Sequence, residues 1–461
     1  MSMRALVLWI VLCCSFCFNT IAVGLAKQPG ADYRARRIAL SHQLNGGVVV
    51  MFGAIEPEGP DSIFGFRQDN DFFYLTGWDE PGAAVLIAPA MESTGDGSSD
   101  TSSDTSSNTS SNTGARAYTE ILFLPARSRE RELWRGPKLG SEEARASAIT
   151  GFDQVAPLEQ MHDRLLKLEP AEVYTAMAEA PASTPSSVPL EWLKRSNSFP
   201  NYATFHAVDE TIHQMRRHKD RGEIERIRHA TAASIAGHRA AMHAMRPGLY
   251  EYQIAALMQY KFQDAGCERP AYAPVVGSGF NSTVLHYSEN SRRIENGDIV
   301  LLDVAGEYAM YASDITRTLP ANGHFTARQR EIYNIVLGAQ RAAMRSVIAG
   351  RSTLRGWGPD SLYQVAYDYI NTHGKDLHGE PLGQYFIHGL GHRVGLEVHD
   401  VGSGPLDKGD VFTIEPGIYI PEEKLGVRIE DIVMLDENGK VINLTADLPH
   451  TAEEVEAAMR H

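Results

Sequence analysis

Two aspartates lie in a segment where a free carboxylate would be costly to bury. Asp303 and Asp314 fall within Ile299–Ile315, which is apolar on both sides of a Gly306–Glu307 turn signal. If the two strands form a hairpin about Gly306–Ala309, the carboxylates come close together across it. Unpaired buried charges are strongly unfavourable, and two carboxylates also repel each other. The pair therefore requires arginine or lysine partners or a metal ion, unless it lies at a solvated strand end with ordinary salt bridges.

A glycine-rich run further along the chain carries three histidines. His388, His392 and His399 fall within twelve residues. Imidazole is the commonest metal ligand and carries protons near neutral pH, whereas the glycines argue against a regular helix here. Glutamate does not follow His388, so the HExxH motif of zinc helices is absent. The run indicates a metal or proton-transfer site, and the alternative is a surface loop.

Two glutamates also lie in segments that are expected to be buried, where a charged side chain is unfavourable. Glu415 and Glu430 each lie among apolar residues with β-strand character. Four carboxylates and at least one imidazole thus occur in strand-like contexts. Two divalent cations would balance the four carboxylates, and a thiol-free set favours a hard ion such as manganese. Two metal ions bridged by carboxylates can share a water and lower its pKa, which supplies hydroxide at neutral pH.

The composition is that of a globular protein with more than one domain. The 461 residues are 43% hydrophobic, and 43 basic against 58 acidic residues give a net charge of −15. A negative surface repels phosphate backbones, so nucleic-acid binding is not expected. Three of the four cysteines lie within the first 26 residues. Cys267 is therefore expected to be a buried thiol, with neither a disulfide nor a cysteine-rich zinc site.

Residues 1–26 have the order of a secretory signal peptide. Arg4 precedes the apolar run Ala5–Phe18, and small residues lead to Ala26. We expect cleavage and export to the periplasm or the exterior, and the alternative is an uncleaved membrane anchor. A second unusual segment, Ser93–Gly114, is rich in serine and threonine and is expected to be a disordered insertion between two strands.

Hydrophobic patterning divides the rest of the chain into two α/β-type domains of an α+β protein. Residues 32–207 form the first, with strands expected at 47–52, 83–88 and 121–124 and helices at 141–147 and 158–168. Residues 208–461 form the second. Its expected helices are 223–245, 250–265, 327–349 and 360–372, and its first two expected strands are 299–305 and 308–316.

The charged residues and their surroundings resemble the aminopeptidase P, prolidase and methionine aminopeptidase superfamily. The spacing of Asp303, Asp314, His392, Glu415 and Glu430 is similar to its metal-ligand set. Similar flanking segments are LHYSEN (285–290), DVAGEYAMYASDITRT (303–318), HGLGHRVGLEVHDVG (388–402), TIEPGIYI (413–420) and GVRIEDIV (426–433). In the N-terminal half, FGFRQDNDFFYLTGWDEPGA (64–83) and RERELWRGPKLG (129–140) are similar to aminopeptidase P.

The resemblance implies a C-terminal pita-bread fold with a smaller creatinase-like N-terminal domain. It also implies two divalent metal ions, typically manganese. By analogy, Asp314 and Glu430 would bridge both ions, Asp303 would bind one, and His392 and Glu415 would bind the other.

The same resemblance implies roles for further residues. Glu415 would also accept a proton from the bridging water, and His286 would contact the substrate and stabilise the transition state. His388 and His399 would bind substrate or support the metal ligands, and His399 would be a catalytic residue. The alternative for His286 is a histidine buried in the core. Arg428 would neutralise and orient the carboxylates beside it.

The activity implied is hydrolysis of the bond between an N-terminal residue and a following proline. The expected partners are peptides with proline at the second position, and a homo-oligomer, dimer or tetramer, is expected. One alternative is an Xaa-Pro dipeptidase (prolidase), which would share every ligand. The other is a non-enzymatic binding protein on the same fold, which the complete ligand set disfavours.

Overall fold

The computed structural model describes residues 27–44, 46–56, 63–89, 118–177 and 188–460. The expected signal peptide and the Ser93–Gly114 insertion lie outside these residues. Within the described ranges, no helix combines the length and the apolar character needed to cross a membrane.

The N-terminal region is built on one six-stranded sheet with the order β4-β3-β2-β1-β5-β6. Its strands are β1 (Val48–Phe52), β2 (Ala84–Pro89), β3 (Tyr118–Leu124), β4 (Gln154–Pro157), β5 (Glu172–Thr175) and β6 (Thr204–Ala207). Its helices are α1 (Gly30–Ser41), α2 (Asn70–Thr76), α3 (Arg129–Arg135), α4 (Ala146–Thr150), α5 (Met161–Leu168) and α6 (Val188–Arg195). The three central strands pair antiparallel, and the flanking pairs are parallel.

Both faces of the central strands are covered, which explains why β1 and β2 are apolar throughout. Successive side chains of a strand point to opposite faces. Val49 and Met51 accordingly belong to one buried cluster, and Val48 and Val50 belong to another.

The C-terminal region consists of small antiparallel sheets surrounded by long helices. Its strands are β7 (Arg269–Pro270), β8 (Val275–Ser278), β9 (Ile299–Asp303), β10 (Gly306–Tyr308), β11 (Tyr311–Ala312), β12 (Thr316–Pro320), β13 (Val411–Ile414), β14 (Gly417–Ile420), β15 (Leu425–Arg428), β16 (Asp431–Leu435) and β17 (Val441–Asn443). Its helices are α7 (Asp209–Arg217), α8 (Arg221–Ala244), α9 (Glu251–Asp264), α10 (Ala327–Arg345), α11 (Leu362–His373) and α12 (Ala452–Ala458). Short 3-10 turns occur at Leu158–Gln160, Gly279–Thr283, Leu382–Tyr385 and Pro421–Glu423.

The long helices begin where the sequence supplies a cap. The Asp220 side chain accepts from the Glu223 amide, and Glu223 caps the Asp220 amide in return; Thr326 and Gln329 form the same capping box at α10. The buried faces of these helices join the strands in one core. Cys267 is buried in it, as predicted. The α+β architecture is confirmed.

Two local predictions are wrong. The predicted hairpin about Gly306–Ala309 does not form, because the tight turn lies at Ala309–Met310, between β10 and β11, and Asp303 pairs instead with Thr316. Asp314 lies in the connection to β12 and not in a strand. The helix predicted at 141–147 is mostly turn, and α4 begins only at Ala146.

Candidate metal and active site

One cavity of about 450 Å³ is lined by the acidic and basic residues that the sequence predicts as site residues. All nine predicted site residues line it: His286, Asp303, Asp314, His388, His392, His399, Glu415, Arg428 and Glu430. They come from elements more than 100 residues apart in the chain, so the fold and not the local sequence brings them together.

The centre of the cavity is a tight group of three side chains. Asp314, His392 and Glu430 each present one ligand atom, and these atoms lie within 4.8 Å of one another. Glu430 is held because its backbone amide donates to the Thr316 carbonyl and its carboxylate accepts from the Thr316 hydroxyl at 2.7 Å. Such a set of carboxylates and one imidazole is a typical binding site for a divalent cation.

The other two predicted ligands lie beside this group. Glu415 follows β13, and its Oε1 is 3.3 Å from Nε2 of His392. The Thr413 hydroxyl donates to the same Glu415 oxygen. Asp303 ends β9, and its Oδ2 accepts from the Arg428 guanidinium at 2.7 Å. Each carboxylate therefore has a fixed orientation before any cation binds.

The tautomer of His392 suits a metal ligand. Its Nδ1 lies 3.0 Å from the Arg393 carbonyl, which can only accept, so Nδ1 carries the proton. Nε2 is then directed at Asp314 and Glu415, each 3.3 Å away. Burial lowers the pKa of His392, but hydrogen bonds and charges from these two acids outweigh burial and raise it.

The remaining acids show how strongly the site favours positive charge. Burial, together with the charges of Asp303 and Glu415, raises the pKa of Asp314 to about 6. Burial and the same kind of repulsion, chiefly from Asp314, raise the pKa of Glu430. Divalent cations would remove this repulsion and hold both carboxylates ionised. The donor set therefore fits divalent metal ions.

Tyr272 was not predicted from the sequence, yet it is central to the site. Its hydroxyl lies 2.6 Å from Asp303 and 2.6 Å from Asp314. One phenolic proton serves only one of these acids at a time. The Tyr272 hydroxyl can therefore donate to either acid, and it links the two proposed ligands.

A hydrogen-bonded chain fixes His388 at the wall of the cavity. Arg428 donates to the Tyr419 hydroxyl at 2.7 Å, and that hydroxyl lies 2.8 Å from Nε2 of His388. Nδ1 of His388 donates to the Gly389 carbonyl. Since Nδ1 holds the proton, the neutral ring accepts from Tyr419, and burial lowers the pKa of His388 accordingly.

The other two histidines line the same cavity with different surroundings. His286 is exposed, which removes the alternative of a buried core histidine. The His399 ring packs 4.1 Å from the His392 ring, and burial and the His392 charge lower the pKa of His399. The next residue, Asp400, is buried and pairs with Arg216 and Lys219.

Comparison with known proteins agrees with this geometry. Residues 225–437 match the model of metallopeptidase family M24, and residues 33–174 match the model of the aminopeptidase P N-terminal domain. The Xaa-Pro aminopeptidase of Escherichia coli is 34% identical over 93% of this chain and 97% of its own length.

Two further relatives cover the same extent. The Xaa-Pro dipeptidase of Homo sapiens is 30% identical, with 94% of each chain covered. A structure of zinc-substituted E. coli aminopeptidase P in complex with product has 30% identity and a TM-score of 0.78, and it covers 94% of this chain and 99% of that one. The chain belongs to metallopeptidase family M24 and, within that family, to the group of aminopeptidase P.

Proposed function

We propose that this protein hydrolyses the peptide bond between an N-terminal residue and a following proline. The observation that carries the proposal is the convergence of Asp314, His392 and Glu430, with Asp303 and Glu415 beside them, in one accessible cavity. The identity with Xaa-Pro aminopeptidases over nearly the whole chain supports the same reaction.

Two divalent ions, manganese in the native enzyme, form the proposed centre. Asp303, Asp314, His392, Glu415 and Glu430 would hold these ions. When bound, the pair supplies a water of lowered pKa as nucleophile and polarises the scissile carbonyl. Oxygen ligands with a single imidazole suit manganese better than a thiophilic ion.

The chain's own side chains supply the rest of the chemistry. Glu415 is ionised, because His392, His388 and Arg428 lower its pKa despite burial, and an ionised carboxylate would be able to accept the proton of the attacking water. The exposed ring of His286 would donate a hydrogen bond to the oxygen that becomes negative in the transition state. His399 lies against His392 and lines the same cavity.

The substrate's two distinguishing groups match the cavity. A free N-terminal amine can donate hydrogen bonds to carboxylate oxygens of the site. The Xaa-Pro bond is a tertiary amide without an N–H, so a cleft that cleaves it cannot depend on a hydrogen bond from that nitrogen. Orientation must come from groups that contact the carbonyl and the amine, as the histidines and acids here do.

The second candidate is a dipeptidase, because the chain is also similar to the human Xaa-Pro dipeptidase. The length of the peptides that are cleaved distinguishes the two activities. The test is to supply the manganese-loaded protein with Ala-Pro and with Ala-Pro-Leu. We expect release of alanine from the tripeptide, its loss on chelation and its return with Mn²⁺. Cleavage of the dipeptide alone would instead identify a dipeptidase. The Glu415→Ala variant should be inactive on both.

We also propose export and self-association. The order of charge and apolar residues within 1–26 supports export, and N-terminal sequencing of the mature protein from cell fractions tests it. Leu133 and Trp134 of α3 are 81% and 83% exposed, and such an apolar pair supports burial against a second copy. Light scattering of the wild type and of a Trp134→Glu variant tests this, with a smaller species expected for the variant.

A further inference from the structure

One arginine on the cavity wall has no partner of its own. Arg355 lies in the loop between α10 and α11 and lines the cavity that holds the acidic cluster. Across the part of the chain that the structure describes, its guanidinium makes no hydrogen bond and no ion pair. The other arginine of the wall, Arg428, is fully engaged with Asp303, Tyr419 and Thr316. Arg355 is thus the wall cation whose donors are available to a ligand.

The loop that carries Arg355 is held at both ends. The Thr353 amide donates to the Asp360 carbonyl at 2.9 Å, and the Ser361 hydroxyl donates to the Gly356 carbonyl at 2.7 Å. The Leu406 amide also fixes the Ser352 carbonyl. These bonds present the arginine from a stable turn, so less conformational entropy is lost when a ligand binds.

Gly389 determines where the Arg355 side chain lies. A Cβ atom on Gly389 would fall 3.3 Å from Nε of Arg355, so the side chain lies closely over the glycine backbone. Gly389 directly follows His388, which Tyr419 fixes at the same wall. The Arg355 side chain, which is exposed, therefore lies next to the histidine-bearing segment.

The cavity therefore carries acidic residues at its centre and, on its wall, an arginine whose hydrogen-bond donors are available to a ligand. A peptide whose first residue lies at the proposed metal centre would extend its remaining residues along the wall. Arginine binds carboxylates with paired, charge-assisted hydrogen bonds. We propose that Arg355 binds a carboxylate of the substrate beyond the proline, either the C-terminus of a short peptide or an acidic side chain. This inference rests on the proposed function and adds a preference for short or acidic peptides.

Measuring the affinity for product-like dipeptides tests the proposed role of Arg355 without relying on catalytic activity. The probes are Pro-Leu and Pro-Leu-amide, titrated into the manganese-loaded full-length protein by calorimetry. We expect the wild type to bind the free acid roughly five- to tenfold more tightly than the amide, in keeping with one partly exposed charge-assisted pair. The Arg355→Gln variant should bind both with the affinity that the wild type has for the amide. The control is Arg351→Gln, which removes an exposed ion pair with Asp360 on the same loop.

Kinetics then distinguish the two sources of the carboxylate. Ala-Pro-Leu is compared with its amide, and Ala-Pro-Glu-amide with Ala-Pro-Gln-amide. A lower KM for the charged member of either pair, lost in Arg355→Gln, identifies the source. Equal binding of acid and amide by the wild type, failure of the free acid to bind, or an unchanged acid preference in Arg355→Gln would overturn the proposal. If acid-selective binding depends on Arg355 while no Xaa-Pro peptide is cleaved, the subsite stands and the proposed function fails.

Discussion

The Tyr272 hydroxyl lies 2.6 Å from a carboxylate oxygen of Asp314 and makes an equal contact with Asp303. A single phenol thus joins two proposed ligands that are separated in the chain by β10, a tight turn and β11. Its position follows from the sheet, because β8, just beyond Tyr272, pairs Val275 directly with Asp303.

Removing this hydroxyl should weaken the metal site without unfolding the protein. We expect Tyr272→Phe to lower manganese affinity and kcat/KM by about tenfold or more, because groups that orient metal ligands usually contribute that much. Metal titration followed by activity measures both. The matched control is Tyr333→Phe, which removes a bond to the His450 carbonyl away from the cavity. Equal metal affinity in the two variants would contradict the role given to Tyr272.

The exposed ring of His286 should matter for rate and not for folding. We expect His286→Ala to keep the wild-type melting temperature and metal content and to lose about 100-fold in kcat, the usual range for one transition-state hydrogen bond. Circular dichroism, elemental analysis and steady-state kinetics check the three parts. A large fall in melting temperature would show that the ring supports the fold.

Metal removal should lower both stability and activity. Without cations, Asp314 and Glu430 repel each other in a buried site, and ligand binding at 100 times Kd adds about 2.7 kcal/mol to the free energy of unfolding. We expect chelation to lower the melting temperature and Mn²⁺ to restore it. In Asp314→Asn, Mn²⁺ should no longer raise the melting temperature. Without metal, this variant should be at least as stable as the wild type, because the repulsion between residue 314 and Glu430 is removed. A metal response equal to wild type in this variant would contradict the ligand assignment.

The sequence predicted those site residues that are acidic but lie within apolar, strand-forming segments. Asp303, Glu415 and Glu430 stand out because strand-forming, apolar neighbours surround each acid, and these neighbours do form β9, β13 and the β15–β16 connection. Residues without such a conflict were missed. Tyr272 lies just before β8 and Tyr419 lies within β14, and aromatic residues are common in and around strands. Nothing local therefore marks their hydroxyls as partners of Asp314 or His388.

Long-range ion pairs were equally hidden in the sequence. Arg216 contacts Asp71 of α2 and Asp400 beside His399, across 145 and 184 residues of chain. Either charge alone fits a solvated surface position, and only the folded arrangement shows that Arg216 is buried. The one clue was position, since Asp400 lies within the HGLGHRVGLEVHDVG segment that also carries three site histidines.

Breaking that ion cluster should destabilise the protein and disturb His399. Asp400 is buried, with Lys219 2.6 Å away and Arg216 on its other oxygen. We expect Asp400→Asn to lower the free energy of unfolding by about 3–5 kcal/mol, because it leaves buried Lys219 without a counter-charge and leaves Arg216 with Asp71 as its remaining close partner. Urea unfolding measures the loss. The control is Asp360→Asn, whose exposed pair with Arg351 should contribute about 0–1 kcal/mol. Similar losses in the two variants would contradict the burial argument.

Stability should fall in acid partly through one buried histidine. His238 of α8 is fully buried, its Nε2 donates to the Val304 carbonyl, and burial, with the Arg317 charge, lowers its pKa to about 3. The unfolded chain binds this proton near pH 6.5 and the folded chain does not, so stability decreases as pH falls from about 6.5 towards 3 and is unaffected above that range. The limiting slope is about 1.4 kcal/mol per pH unit for one proton. Urea midpoints at pH 7, 5.5 and 4.5 should show a shallower acid dependence in His238→Gln, which keeps a donor for Val304. Identical pH profiles for the two proteins would mean that other groups account for the acid sensitivity.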